Sequence, residues 1–409
     1  MTRSPILTRY SGEGAVPAPD EPTSLAPDAP ASDESTPDSS TPQSTAWHYG
    51  DPLGEQRAAL SGAIIVDRSD RAVIEVPGSD RLTWLHTICS QHLSELTDRH
   101  SAEALSLDVN GRIEDYFVLT DVDEVTWIDT DGNRGRALAD FLTKMVFWSK
   151  VDPAPRPDMR VMTLIGPAAV HGPIADLLEI PDDATPYTAG DLPESHHEEE
   201  PLGFWRIMPP IAEGPHSDVV LPVVDVVLPE SLLLTWWDEL VEAGARMAGS
   251  WAFDALRVAA MHPVIGIDTD ERTIPHEAGF IGGIDTYGAV HLDKGCYRGQ
   301  ETVARVHNLG RPPRNLVLLH LDGSTDARPV PGDPITAGGR TVGRLGTVID
   351  HFDLGPIALG LVKRGIGADI DLVAGETETM AARIDPDSIP TDDRVQAGRA
   401  AITRLRSNS

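Results

Sequence analysis

Cysteine is nearly absent from this chain of 409 residues, which contains only Cys89 and Cys296. Two cysteines cannot form the disulfide framework of a small secreted domain, and no CxxC pair is present to hold zinc or a cluster by itself. The sequence also lacks the run of about 18 apolar residues that a membrane helix needs. Its N-terminus has no apolar core typical of a secretory signal. We therefore expect a cytoplasmic protein with no membrane partner and no metal site.

Positive charge is also scarce. The chain has 64 Asp and Glu against 33 Lys and Arg, a net charge of -31. The electrostatic field of so negative a chain repels the phosphates of nucleic acid and anionic lipid, so we expect no direct binding to DNA. An RNA-binding module is disfavoured as well, because aromatic residues make up only 5% of the sequence. The acidity itself is consistent with a role in solubility.

Several common catalytic motifs are missing. The sequence has no GxxxxGK[ST] phosphate loop, no GxSxG elbow and no HExxH helix. It also has no GxGxxG turn between a predicted strand and helix. These absences argue against a P-loop nucleotidase, an α/β-hydrolase, a zinc protease and a dinucleotide-binding dehydrogenase.

The sequence pattern divides the chain into four parts. Residues 1–50 are rich in proline, serine and acidic side chains and are predicted to be a disordered tail. Strand pairs alternate with amphipathic helices over residues 51–310, which predicts an α+β region with antiparallel sheets. Residues 311–385 have the short strands and glycine turns of a small β-barrel or β-sandwich. Residues 386–409 are predicted to be a polar tail.

One segment concentrates positive charge. Residues 292–314 contain five basic and two acidic side chains, hence a net charge of +3 within a strongly acidic protein. Such a segment predicts recognition of an anion, whether a carboxylate, a phosphate or the acidic face of a partner. Its basic residues are Lys294, Arg298, Arg305, Arg311 and Arg314.

Cys296 lies in this segment between Gly295 and Gly299, directly before a predicted helix. Backbone N–H groups at a helix N-terminus favour an anion, and Lys294 and Arg298 flank the cysteine. This setting predicts a stabilised thiolate and a reactive cysteine. The alternative is that Cys296 is a small hydrophobic residue in a turn.

Other polar and thiol groups have less specific surroundings. Gln300 and Glu301 open the predicted helix; they are either ordinary first-turn residues or partners for the amide and ring nitrogens of a heterocycle. Cys89 lies beside the apolar stripe of an earlier predicted helix and is expected to be a buried structural thiol.

The stretch around Cys296 resembles a known signature. DKGCYRGQE is similar to the K-G-C-Y-x-G-Q-E motif of the YgfZ family, folate-binding relatives of the T-protein, the aminomethyltransferase of the glycine cleavage system. Further segments resemble the family in the expected order, and together they span about residues 60 to 365. These segments are VPGSDRLTWLHTI, NGRIEDYFV, FDALRVAAMHPVIGIDTDERTIPHEAGF and GRTVGRLGTVIDHFDLGPIALGLVK.

The resemblance implies an α+β fold with two sheet-and-helix domains and a small C-terminal β-barrel around a central folate channel. The two domains would divide near residues 160–200, and tetrahydrofolate would be the cofactor. YgfZ proteins are associated with the assembly or repair of iron–sulfur enzymes and with the tRNA modification that depends on them. The implied function is therefore a folate-binding accessory protein, with iron–sulfur proteins or assembly factors as partners. The alternative is a folate-dependent aminomethyl- or methyltransferase of the T-protein type.

The same resemblance implies roles for individual residues. Cys296 would be the reactive group, and Asp115 falls on the acid of the family's G-x-I-x-D element. Tyr116 follows where the T-protein usually has a second Asp, so whether the chain is an enzyme stays open. Asp225 falls near the carboxylate that faces the pterin; the alternative is that it is a plain strand residue. The other predicted cofactor-binding residues are Lys294, Tyr297, Arg298, Gln300 and Glu301.

Overall fold

The computed structural model describes residues 3–17, 44–193, 203–215, 217–325 and 327–390. None of the helices in these ranges is long and apolar enough to cross a membrane. In chain order they are α1 (Pro5–Tyr10), α2 (Pro52–Ala58), α3 (Arg81–Ile88), α4 (Gly132–Lys144), α5 (Pro173–Leu178), α6 (Glu230–Glu242), α7 (Ser250–Ala259) and α8 (Gln300–Leu309).

Within the described residues, the strands form two open sheets, a closed barrel and a short N-terminal pair. They are β1 (Val16–Pro17), β2 (Ala46–His48), β3 (Ile64–Asp67), β4 (Arg71–Pro77), β5 (His100–Leu107), β6 (Ile113–Val122), β7 (Val125–Asp131), β8 (Ala154–Pro155), β9 (Met159–Ile165), β10 (Ala189–Asp191), β11 (Phe204–Ala212), β12 (Val220–Pro229), β13 (Arg246–Ala248), β14 (Arg314–Leu321), β15 (Pro334–Ala337), β16 (Arg340–His351), β17 (Gly355–Lys363), β18 (Leu372–Ala374) and β19 (Met380–Ile384).

The first sheet has the strand order β5-β6-β7-β4-β8 and is antiparallel throughout. The predicted hairpin turn at Asn110 and Gly111 joins β5 to β6, and Gly111 has a φ of 76°, which glycine adopts without strain. Helices α3 and α4 cover one face of this sheet, where Leu85 and Leu138 pack against Phe117. Burial of these apolar side chains fixes which face of each strand points to the helices.

The second sheet has the order β10-β11-β12-β9-β3-β13, with one parallel pair between β13 and β3. Helix α6 packs on it through Leu233, Trp237 and Leu240, which share one core with Leu164. The first sheet ends at β8, and the second continues directly at β9. The chain therefore passes from the first sheet to the second just before residues 160–200, where the domain division was expected. Strand β3, which precedes the first sheet in the sequence, also belongs to the second sheet.

The third unit is a closed barrel of six strands in the order β14-β17-β16-β15-β18-β19. Its interior contains Val317, Leu319, Ile335 and Ile384. Helix α7 joins the barrel to the second sheet. The guanidinium of its Arg257 donates to Asp268 at 2.9 Å and to Thr347 of the barrel at 2.7 Å. The predicted α+β architecture with two sheet-and-helix units and a small C-terminal barrel is confirmed.

The prediction of a disordered tail over residues 1–50 is wrong at both ends of that segment. Ile6 and Leu7 of α1 are fully buried, and the Ser4 hydroxyl donates to Asp67 at 2.5 Å. Strand β1 also pairs with β2. The few apolar side chains of this polar segment are sufficient to order it, because they pack on the core of the second sheet. Residues 18–43 lie outside the described residues.

The predicted C-terminal tail is described only over its first five residues. A short 3-10 helix spans Pro386–Ser388, and Ser388 is buried. Residues 391–409 lie outside the described residues.

Candidate functional site

A cavity of about 410 Å³ lies where the two open sheets meet. The first sheet contributes side chains from β4, β5, β6 and β7, and the second sheet from β9, β11 and β12. Helix α7, residues 260–264 after it, residues 278–289 and Arg68 provide the remaining walls. The lining residues that bear on ligand binding are Arg68, Arg71, Glu103, Tyr116, Asp131, Arg206, Asp225, Phe253, Phe280 and Tyr287.

Aromatic rings form much of the cavity wall. Tyr116 and Phe280 are stacked, with ring centroids 5.4 Å apart and planes inclined by 28°. Tyr287 meets Tyr187 edge to face at 6.0 Å. Flat aromatic surfaces of this kind favour a flat, apolar-faced ligand.

Glu103 of β5 projects into the cavity between two phenol groups. The hydroxyl of Tyr116 donates to its Oε1, and the hydroxyl of Tyr187 donates to its Oε2 at 2.5 Å. Burial, reinforced by the charge of Glu103, raises the pKa of both phenols above the usual value. Both hydroxyls therefore remain protonated donors at neutral pH, and the carboxylate is held between them.

A buried ionic network forms another wall and joins the two sheets. Arg206 of β11 is 1% exposed, and it donates to Asp129 of β7 at 2.6 Å and to Asp225 of β12 at 2.8 Å. Arg71 of β4 donates to the second oxygen of Asp129 at 2.6 Å. Burial alone would raise the pKa of Asp129, but Arg206 and Arg71 outweigh it and lower the pKa to about 2.

Asp225, the predicted partner of the pterin, does line the cavity. Its carboxylate already accepts from both Nε and Nη2 of Arg206, and from the hydroxyl of Thr163 at 2.7 Å. Most of its acceptor capacity is therefore used inside the protein.

Asp115, predicted as a catalytic residue, does not line the cavity. Successive side chains of a strand point to opposite faces, and in β6 it is Tyr116 and Val118 that face the cavity. Asp115 instead lies under α4, where it accepts from Arg134 at 2.9 Å and from Ser106 at 3.2 Å. Burial raises its pKa, although Arg134 opposes this effect.

Lys294 turns away from the neighbouring cysteine and closes the C-terminal end of α3. Its ammonium group donates to the carbonyl oxygens of His86, Cys89 and Gln91, the last two at 2.7 and 3.0 Å. Burial lowers its pKa. Lys294 is 4% exposed, and its ammonium nitrogen lies 5.0 Å from the ring centroid of Tyr297. Lys294 thus anchors the loop.

Gln300 and Arg298 also tie this loop to its surroundings. Gln300 donates to the carbonyl oxygen of Lys294 at 3.1 Å, and Arg298 pairs with Glu114 of β6 at 2.9 Å. Gly299 has a φ of 82° and packs so closely on the β5–β6 hairpin that a Cβ there would lie 2.8 Å from the Cα of Gly111.

Cys296 is exposed at the surface of this anchored loop, whereas Cys89 is buried as predicted. Glu301 is exposed on the first turn of α8. None of the predicted residues from Lys294 to Glu301 lines the cavity. In the described part of the chain, no group of three or more His, Cys, Asp or Glu side chains is arranged to hold a metal ion. The structure therefore separates the cysteine loop from the cavity.

The sequence interpretation missed Glu103, Arg68 and the aromatic wall. Glu103 is a charged residue in the strand sequence HSAEALSL, and a charged side chain between buried neighbours is a signal that the pattern did contain. Arg68 lies over the ring of Phe253, with its guanidinium carbon 3.9 Å from the ring centroid. That contact joins the turn after β3 to α7, so no local spacing predicts it.

No protein-family model matches the chain. It is 23% identical over 339 residues to a chloroplastic protein of Arabidopsis thaliana whose name describes a transferase, covering 80% of this chain and 73% of that protein. It is 26% identical over 300 residues to the tRNA-modifying protein YgfZ of Escherichia coli O157:H7, covering 73% and 83% of the two chains. An aminomethyltransferase of Rubrobacter xylanophilus is 27% identical over 303 residues, covering 72% and 74%.

Among solved structures, the aminomethyltransferase T of the glycine cleavage system from Bartonella henselae is similar with a TM-score of 0.73. The match has 16% sequence identity and covers 94% of this chain and 96% of that one. The chain therefore has the T-protein fold, and its resemblance to YgfZ proteins and aminomethyltransferases is confirmed.

Proposed function

We propose that this chain, with its T-protein fold, binds tetrahydrofolate in the central cavity and serves as an accessory protein for iron–sulfur enzymes and the tRNA modification that depends on them. The observation that carries the folate assignment is the cavity itself, where a carboxylate lies beside stacked aromatic rings. Its volume of about 410 Å³ falls within the range of roughly 300–1,000 Å³ of small-molecule sites.

The lining fits the two ends of a folate, its pterin and its glutamate tail. A flat pterin matches the wall formed by Tyr116 and Phe280, and the donors on its edge need a carboxylate. The glutamate tail is anionic and needs a cation. Arg68 supports that role, because it lines the cavity over Phe253 and its ion pair with Asp70 is loose, at 3.5 Å.

The cysteine loop supports the accessory role. Cys296 is exposed, and its loop is fixed from two sides by Lys294 and by the pair between Arg298 and Glu114. An exposed thiol is accessible to another protein. Because Cys296 lies outside the cavity, folate bound in the cavity would not cover it. We propose iron–sulfur proteins or assembly factors as the partners of this surface.

A folate-dependent transferase is the second candidate, supported by the T-protein fold and by the names of two relatives. That reaction would require a carboxylate beside the reacting nitrogen of the folate. Asp115, the residue predicted for this task, accepts its hydrogen bonds on the other face of the sheet. The accessory role is therefore the better supported of the two.

Calorimetric titration of the purified protein with tetrahydrofolate under anaerobic conditions tests the folate assignment. We expect saturable binding with one site per chain, and its absence would overturn the proposal. Cys296→Ser separates the two roles. We expect this variant to bind folate normally but to lose its support of iron–sulfur enzyme activity in cells, whereas a transferase would stay intact.

A further inference from the structure

We infer that Glu103 is the specificity-determining residue of the cavity and accepts two N–H donors from the edge of a bound heteroaromatic ring. This inference rests on the proposed function, for which the ring is the 2-amino-4-oxo edge of a pterin. It replaces Asp225 as the carboxylate that recognises the ligand.

The acids of the cavity differ in what already neutralises them. Asp225 accepts two bonds from the guanidinium of Arg206, and Asp131 pairs with Arg71 at 3.2 Å. Within the described ranges Glu103 has no salt bridge; its bonds come from two neutral phenols. Each oxygen of Glu103 accepts one hydroxyl and retains acceptor capacity for another donor.

The surrounding structure fixes this carboxylate from both ends. The side-chain amide of Gln91 donates to the backbone carbonyl of Glu103 at 3.1 Å. Tyr187, which holds Oε2, has a φ of 71°, and Tyr287 beside it has a φ of 54°. Left-handed backbone is unfavourable for a tyrosine, so the fold maintains this arrangement against a local cost. Such strain is typical of positioned groups in binding sites.

The carboxylate and the aromatic wall belong to one surface. Tyr116 donates its hydroxyl to Glu103, and its ring stacks on Phe280. A planar ligand that lies along this wall therefore presents an edge, rather than a face, to the carboxylate. Two adjacent N–H groups satisfy the two oxygens, whereas an edge that offers acceptors would leave the half-buried carboxylate without a partner.

The test compares two probes on matched variants. Tetrahydrofolate contains the pterin, and p-aminobenzoyl-glutamate is the same molecule without it. We expect Glu103→Gln to weaken tetrahydrofolate binding at least about tenfold, because an amide replaces one acceptor by a donor, and to leave p-aminobenzoyl-glutamate binding unchanged. Glu114→Gln is the control: the residue lies on the adjacent strand but pairs with Arg298 outside the cavity.

The outcomes separate this inference from the proposed function. If the wild type binds tetrahydrofolate and Glu103→Gln binds it equally well, the inference is overturned and the proposed function stands. If the wild type binds no folate, the proposed function is overturned, and the inference that rests on it is overturned with it. Should Glu103→Gln not fold, Tyr187→Phe provides the second measurement, since it keeps the charge and releases one oxygen. Unchanged tetrahydrofolate affinity in Tyr187→Phe would then overturn the inference, and a loss of several-fold would support it.

Discussion

Asp115 and Tyr116 are neighbours in β6, yet their side chains lie on opposite faces of the first sheet. Tyr116 donates its hydroxyl to Glu103 in the cavity, whereas Asp115 accepts from Arg134 beneath α4. The pleat of the strand enforces this separation. An acid at position 115 therefore contributes to the helix side of the sheet and not to the cavity.

Asp115→Asn is expected to leave tetrahydrofolate affinity unchanged within about twofold, because the side chain does not line the cavity. Burial raises the pKa of Asp115 above its usual value. Ionisation of this carboxyl therefore lowers the free energy of unfolding as the pH rises through its folded pKa. Calorimetry of this variant beside Glu103→Gln checks the first point. A large loss of affinity in Asp115→Asn would show that the acid reaches the folate.

Arg206→Met is expected to lower the free energy of unfolding by about 3–5 kcal/mol, because Asp129 and Asp225 would remain buried without their shared cation. Urea denaturation measures this loss. Arg383→Met is the control, since its pair with Asp371 is exposed and should change stability by less than about 0.5 kcal/mol. Similar effects of the two substitutions would contradict a central role for Arg206.

Acid should destabilise the protein through Asp129. Its folded pKa of about 2 lies below the unfolded value near 3.8, so its contribution is present above pH 4 and is lost as the pH falls towards 2. Asp270 of the Arg314 pair also has a pKa of about 2 and adds to the same window. In denaturation curves at several pH values, the free energy of unfolding of Asp129→Asn should fall less steeply with acid than that of the wild type. An equal fall in both would contradict the low pKa of Asp129.

Lys294→Met is expected to lower the free energy of unfolding by about 2–4 kcal/mol, because three carbonyl oxygens at the end of α3 lose a charged donor. Lys363→Met is the matched control, since Lys363 makes one exposed bond to the carbonyl oxygen of Thr341. Urea denaturation of both variants measures the difference. If Lys294 instead serves the cysteine, its substitution should change the thiol's reactivity while stability stays the same.

Native alkylation should distinguish the two cysteines. Iodoacetamide is expected to label exposed Cys296 and to spare Cys89, whose pKa is raised by burial. Mass spectrometry should find one adduct on the folded protein and two after denaturation. In Cys296→Ser the native adduct should disappear without a change in stability. Equal labelling of both thiols in the folded state would contradict the burial of Cys89.

Sequence pattern predicted the parts of the fold that local spacing controls. The hairpin at Asn110 and Gly111 follows from turn chemistry, and the helix after Gly299 follows from its apolar period. The roles of charged side chains did not follow in the same way. Lys294 is two residues from Cys296, but its partners are the carbonyl oxygens of residues 86, 89 and 91.

Local pattern could not tell which cavity carboxylate is free of a salt bridge in the described part of the chain, for a related reason. Alternation in a strand divides its side chains between two faces, but only the packing of whole sheets decides which face encloses a cavity. Asp225 lines the cavity, yet Arg206 from the neighbouring strand occupies one of its oxygens and Thr163 donates to the other. Glu103 acquires its two phenols from β6 and from the segment before β10, a combination that no short motif records.

The cavity lining begins at Arg68 and ends at Ala289. During synthesis, a growing polypeptide therefore has no complete pocket until Ala289 has left the ribosome. Fragments released early would present the ionic network of the sheets with one wall open to water. A small molecule bound there would therefore stabilise chains that extend past Ala289 in preference to shorter fragments.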